Sequence, residues 1–259
     1  MTPAQVTSSN DYVKVINPEG QSSVVVVCEH ASSYIPPIYR DLGLTGDALQ
    51  SHAAWDPGAL AVAQSLSSLL DAPLVASGVS RLVYDCNRPP SAPDAMPHQS
   101  ETIKIPGNAK LTTAERQART NTYYEPFRAN LAQMLSIKQT PVIVTIHSFT
   151  PIYHGQTRAV EIGVLHDSDA RLADAMLSSM TDHTNLLVQR NEPYGPEHGV
   201  THTLIEHALT PGHLNVMLEI RNDLIRTTDQ QDEMSKTLAT WLSDALARLH
   251  ITQVVQCQA

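Results

Sequence analysis

The chain has 259 residues, 42% of them apolar and 17% charged, a composition that supports a sizeable core and excludes extended disorder. Its net charge is −9 with histidine neutral and it has no run of Lys or Arg, so nucleic acid and anionic membrane are excluded as expected partners. No stretch nears the roughly 20 apolar residues of a membrane span. The opening MTPAQVTSSNDY lacks the basic region and apolar core of a signal peptide. Cys28, Cys86 and Cys257 form neither a disulfide framework nor a CxxC pair, and a cytoplasmic location is expected.

Residues 24–28, VVVVC, predict a buried strand. Residues 32–45 contain Pro36, Pro37 and Gly43 and predict a loop. A helix is expected over 57–70, with Pro57 in its first turn. Residues 73–77 and 82–85 predict two strands. Residues 88–106, RPPSAPDAMPHQSETIKIP, are too Pro-rich and polar for a regular core element and are a candidate lid.

Residues 112–136 carry the clearest helical pattern. Thr112 and Glu115 form a capping-box signature, and Pro126 should kink or split the helix. Strands are expected over 142–146, 160–165, 186–189 and 215–220, and helices over 169–180, 200–208 and 229–251. The alternation predicts an α/β fold: one domain over residues 1–259, with a mixed, mostly parallel sheet covered by helices on both faces.

In such sheets ligands bind at the carboxyl ends of strands. His30 follows VVVVCE and His147 follows VIVTI, so two imidazoles could converge there. Zinc takes imidazole and carboxylate ligands, and a catalytic zinc keeps a position for water. No H-E-x-x-H and no G-x-S-x-G occurs. Cys28 should point away from its neighbours' side and reads as a small core residue. The stretch LVYDCNR ends in Asn87 and Arg88, and an arginine fork grips a carboxylate with two hydrogen bonds. Glu219 sits inside an apolar strand, a costly place for a carboxylate without a partner or a task. Arg221, two residues on, is the bland partner.

Taken together, CEHAS at 28–32, HAAWDPGA at 52–59, SRLVYDCNRPP at 80–90, IHSFTP at 146–151 and LEIRNDLI at 218–225 resemble the N-formylglutamate amidohydrolase family. That family is in turn similar to the zinc carboxypeptidase and aspartoacylase group. The resemblance implies Zn2+, or another divalent metal, held by His30, His147 and an acid. It implies Glu219 as general base and Asn87 and Arg88 as a carboxylate clamp. Carboxypeptidases place the acidic ligand three residues after the first His, where this chain has Ser33. Asp56, in WDPGA, is the expected substitute. Glu29 is the rival, although adjacent strand residues point to opposite faces. The implied substrate is an anionic N-acyl amino acid such as N-formyl-L-glutamate. Arg81 and Arg221 are candidates for its second carboxylate, and His202 for contact with the substrate.

Overall fold

The computed structural model describes residues 12–251; Cys257 and the first eleven residues lie outside the described part. The VVVVC run forms a strand in which all five residues are buried. The sheet strands in chain order are β1 (Val13–Ile16), β2 (Val24–Cys28), β3 (Leu74–Ser77), β4 (Val142–Phe149), β5 (Ile162–Leu165), β6 (Val188–Arg190) and β7 (Leu214–Arg221). Their spatial order is β1-β3-β2-β4-β7-β5-β6. From β3 through β2 and β4 to β7 the strands are parallel. β1 joins antiparallel at one edge; at the other, β5 is antiparallel to β7 and parallel to β6. The architecture is the mixed, mostly parallel α/β sheet that the alternating pattern predicts.

Side chains alternate across a strand, which divides the core in two. Val24, Val26 and Cys28 face a layer built by α1 (Ala59–Leu69), α4 (Arg171–Ser178) and α5 (Thr228–Arg248). Within that layer Trp241 Nε1 donates to the Met176 carbonyl at 2.7 Å, which ties α5 to α4. Val25 and Val27 face the opposite cluster, with Phe127 and Leu131 of α3 (Glu125–Ser136). His147 and Glu219 follow the alternation of Ile143 and Met217 onto this second side.

The capping box is present: Thr112 Oγ1 accepts from the Glu115 N–H, and the Glu115 carboxylate accepts from the Thr112 N–H. It opens α2 (Thr113–Arg119), and Pro126 falls at the start of α3. Between them Thr120–Tyr124 forms one wide π turn. Pro126 lacks an N–H, and a local change of helical register lets the chain continue past it.

Several boundaries differ from the pattern. Residues 82–85 form a turn. The Ser80 hydroxyl accepts from the Leu82 N–H (3.1 Å), and the Ser80 carbonyl accepts from Val83 (2.9 Å), so local bonds replace a ladder. Pro57 precedes α1, whose N-cap is Gly58 at φ 85°. A side chain on Gly58 would also meet the Ile225 carbonyl at 2.6 Å. The 169–180 helix ends at Ser178, and Met180–His183 forms a separate turn. Residues 202–209 are a short α turn followed by a π turn. The Pro-rich segment has no long element, only a 3-10 turn at Pro93–Ala95 and the short hairpin Gln99–Ser100 with Ile103–Lys104, yet Ala95, Met96 and Ile105 are buried. No helix among the described residues is long and apolar enough to cross a membrane.

Candidate metal centre and active site

β4 does not end before His147. It continues to Phe149, because its partner β7 runs beside it to Arg221. His147 is thus held by strand pairing and stands opposite Glu219 in the parallel register. His30 comes from the loop just past β2. Asp56 is brought to it by a backbone bond, its N–H donating to the His30 carbonyl at 3.0 Å.

Three ligand atoms converge. His30 Nδ1 lies 3.2 Å from Asp56 Oδ2, His147 Nδ1 lies 2.9 Å from the same oxygen, and the two Nδ1 atoms are 3.2 Å apart. A tetrahedral zinc with bonds of about 2.0–2.1 Å separates its ligand atoms by about 3.3 Å. The triangle therefore fits one face of such a site, and all three residues are buried. Two imidazole nitrogens facing one carboxylate oxygen in a buried space are the donor set a divalent ion requires.

The far nitrogens of both rings meet carboxylates. His30 Nε2 is 2.7 Å from Asp85 Oδ1. His147 Nε2 is 3.1 Å from Glu29 Oε2, off the line of a hydrogen bond. Glu29 therefore lies behind His147, on the side away from Asp56, and not within the triangle. A carboxylate on Nε2 places the proton there and leaves the Nδ1 lone pair for a cation. Arg81 joins this frame, with NH2 2.9 Å from Asp85 Oδ2 and NH1 3.5 Å from Asp56 Oδ1.

These contacts move protons. Burial, reinforced by Arg81, works against charge on His30, but Asp85 and Asp56 outweigh both and its pKa is raised. Burial likewise opposes charge on His147, and Glu29 and Asp56 raise it well above the usual range. Glu219 goes the other way for a carboxylate. Burial and the nearby Asp56 outweigh His147 and lift it to about 7, and its Oε2 is buried with no partner among the described residues. Burial also raises the Cys28 thiol, and its side chain packs in the layer of α1.

The cluster opens into a cavity of about 270 Å³ whose walls include Arg81, Arg88, Tyr153 and Tyr194. Asn87 and Arg88 are also at its wall, but each has a structural task. Asn87 donates to the Val200 carbonyl and accepts from the Thr203 N–H at 3.0 Å. Arg88 Nε bonds Asp94 at 2.8 Å, and NH1 bonds the Asn87 and Gly199 carbonyls. Only NH2, with one 3.5 Å contact to the His198 carbonyl, is loosely engaged.

Two expected substrate contacts are not at the cavity. Arg221 turns away to Asp223 (2.8 Å) and Glu161 (3.2 Å), because the end of β7 packs beside the 158–161 segment. It does not pair with Glu219 either. His202 stacks on Tyr124 and bonds its hydroxyl at 2.7 Å, behind the cavity wall.

The motif model of the N-formylglutamate amidohydrolase family matches residues 22–226. The chain belongs to this family. A solved structure of a gene product from Agrobacterium tumefaciens is 53% identical, with a TM-score of 0.91; the match covers 93% of this chain and 97% of the other. The N-formylglutamate amidohydrolase from Ralstonia eutropha is 18% identical, with a TM-score of 0.57, covering 92% and 99% respectively, and shares the fold. A search of curated proteins returned no match.

Sequence reasoning passed over several residues at or near the cavity. Asp85 stood inside LVYDCNR without a role. Its signal was its position two before Asn87, whose N–H it accepts at 2.9 Å. Tyr194 reaches the cavity because Gly163 has no side chain: a Cβ there would lie 1.9 Å from the Glu192 carbonyl. Glu101 accepts from His52 (3.0 Å) and from the His154 N–H (2.8 Å), joining two rim hairpins. Nothing local in the sequence announces those contacts.

Proposed function

We propose that this protein is a metal-dependent amidohydrolase that removes the N-formyl group from an acidic amino acid, N-formyl-L-glutamate being the reference substrate. The observation that carries this reading is the triangle of His30 Nδ1, Asp56 Oδ2 and His147 Nδ1, with Glu219 standing beside His147. Family membership supports the bond type. The small cavity, about 270 Å³, favours a single amino acid over a peptide.

His30, Asp56 and His147 would hold the ion, and zinc suits this ligand set. When bound, such an ion polarises the amide carbonyl and makes a coordinated water more acidic. The hydrogen bond of Asp85 to His30 Nε2 keeps that imidazole in the tautomer that presents Nδ1, and the negative charge of Glu29 beside His147 Nε2 favours the same tautomer there. Glu219 accepts the water's proton as the oxygen attacks the formyl carbon. It then delivers that proton to the departing nitrogen as the C–N bond breaks, releasing formate and the free amine. Burial lifts this carboxylate to about 7 in the metal-free site, which suits it both to hold and to give up a proton. Arg81, partly exposed at the cavity, faces the region where negative charge develops on the carbonyl oxygen. Arg88 NH2 is the donor left for a substrate carboxylate, while Asn87 supports it by holding the 200–203 turn.

The test is formate release from N-formyl-L-glutamate by protein with zinc, beside a chelated sample. Turnover that vanishes on chelation and returns with zinc is the expected result. A protein that binds zinc yet leaves this substrate intact would redirect the assignment to another N-acyl amino acid.

A further inference from the structure

Four arginines matter here: Arg81 and Arg88 line the cavity, and Arg158 and Arg221 lie outside its wall. Arg81 is paired with Asp85 and Asp56, Arg88 with Asp94, and Arg221 with Asp223 and Glu161. Arg158 differs. Among the described residues it makes no ion pair, and its side-chain polar contacts are a 3.5 Å bond to the Thr150 carbonyl and one to the Tyr194 hydroxyl. Its guanidinium instead sits over aromatic faces, 4.4 Å from the Tyr153 centroid, 4.8 Å from Tyr194 and 5.6 Å from Phe149. All three rings line the cavity, and Arg158 adjoins it through them without being part of its wall.

The backbone holds it there. The Arg158 N–H donates to the Pro151 carbonyl at 2.8 Å, closing the hairpin formed by Ile152–Tyr153 and Gln156–Thr157. Arg221 in turn donates to the Arg158 and Ala159 carbonyls. Arg221 thus anchors the segment that carries Arg158. An aromatic cage orients a guanidinium through its flat faces and leaves its N–H edge available, the edge that bonds a carboxylate with two hydrogens. Tyr194 lies under the electrostatic influence of both Glu219 and Arg158, which puts the cage on the same cavity as the candidate base.

We propose that Arg158 binds the side-chain carboxylate of the substrate and selects acidic N-formyl amino acids over neutral ones. The inference rests on the functional reading above and supplies the second cation that a dicarboxylate substrate requires, a place Arg221 does not fill. Arg88 then serves the carboxylate next to the amide.

The experiment compares N-formyl-L-glutamate with its neutral isostere N-formyl-L-glutamine on the full chain with zinc, in wild type, Arg158→Met and Arg158→Lys. Methionine keeps packing against the rings and removes the charge; lysine keeps the charge and removes the fork. The expected result is a roughly 10–100-fold loss of kcat/KM on the glutamate substrate in Arg158→Met, mostly in KM, with little change on the glutamine substrate. Arg158→Lys should recover part of the loss. Equal losses on both substrates, or none, would overturn the proposal, since a residue that only braces the hairpin cannot discriminate between them. If the wild type hydrolyses neither substrate, the functional reading fails separately. Calorimetric binding of L-glutamate against L-glutamine then decides the inference: acid-selective binding that disappears in Arg158→Met upholds it, and any other pattern overturns it.

Discussion

Glu219 and His147 are register partners on adjacent parallel strands, their side chains on the same face of the sheet. The candidate base and a candidate metal ligand are therefore held by the longest strand pairing of the sheet, that of β4 with β7. A site supported in this way keeps its geometry without loop closure.

Glu219→Gln is nearly isosteric and removes only the ability to accept a proton. It should lower kcat by about 10²–10⁴-fold. Metal content, measured by atomic absorption after dialysis, should stay at the wild-type level. Loss of metal in this variant would make Glu219 a ligand instead.

Metal binding should strengthen with rising pH. His30 and His147 are raised above 6.5 in the metal-free protein, so they hold their protons to higher pH than a free imidazole does, and an ion must displace those protons. Competition titrations between about pH 6 and 8 should show the affinity increasing, with proton uptake by the buffer. A pH-independent affinity would contradict the protonated cluster.

The metal-free fold carries the matching signature. A raised histidine adds stability below its unfolded value of 6.5 and loses it as pH rises through the folded value. Asp56 and Asp85 are lowered, burial being outweighed by His30 and, for Asp85, Arg81; they add stability above the ordinary 3.8 and lose it as pH falls. The cluster's contribution is greatest between these two values. Thermal melts of chelated protein should peak in that window, and saturating zinc should move the maximum upward.

Asp85→Asn leaves the His30 ring without a charged partner on Nε2. Metal affinity should fall by about 10–100-fold, as is usual when the carboxylate behind a ligating histidine is lost. A chelator-competition assay reads this directly, and an unchanged constant would mean that Arg81 and the backbone alone orient the ring.

Gly163→Ala should destabilise the fold by about 2 kcal/mol or more, because the Glu192 carbonyl lies 1.9 Å from where the new carbon would be. Thermal denaturation should show a lower Tm. Turnover should fall as well, since the segment that must shift is the one that brings Tyr194 to the cavity.

The local chemistry of the chain was legible where short-range forces decide. The all-valine strand, the Thr112–Glu115 capping box and the disruption at Pro126 follow from neighbours within a few residues. Residues 82–85 were misread because apolar composition suggests a strand, whereas the Ser80 hydroxyl competes locally for the N–H of Leu82. The extent of β4 past His147 was hidden for the opposite reason. It depends on β7, more than 60 residues later in the chain.

By itself the sequence determined the residue types at the centre: two histidines beside apolar strands, a carboxylate inside one, and a family pattern joining them. Only the tertiary structure decided their pairing. It set Glu29 behind His147, Asp56 between the two imidazoles, Arg221 onto Glu161 and Asp223, and Arg158 among the rings. Residue type carries the capacity to hold a charge. At the centre, which charge faces which is set by distances of about 3 Å among His30, Asp56 and His147, 26 to 117 positions apart, and these exist only once the sheet is formed.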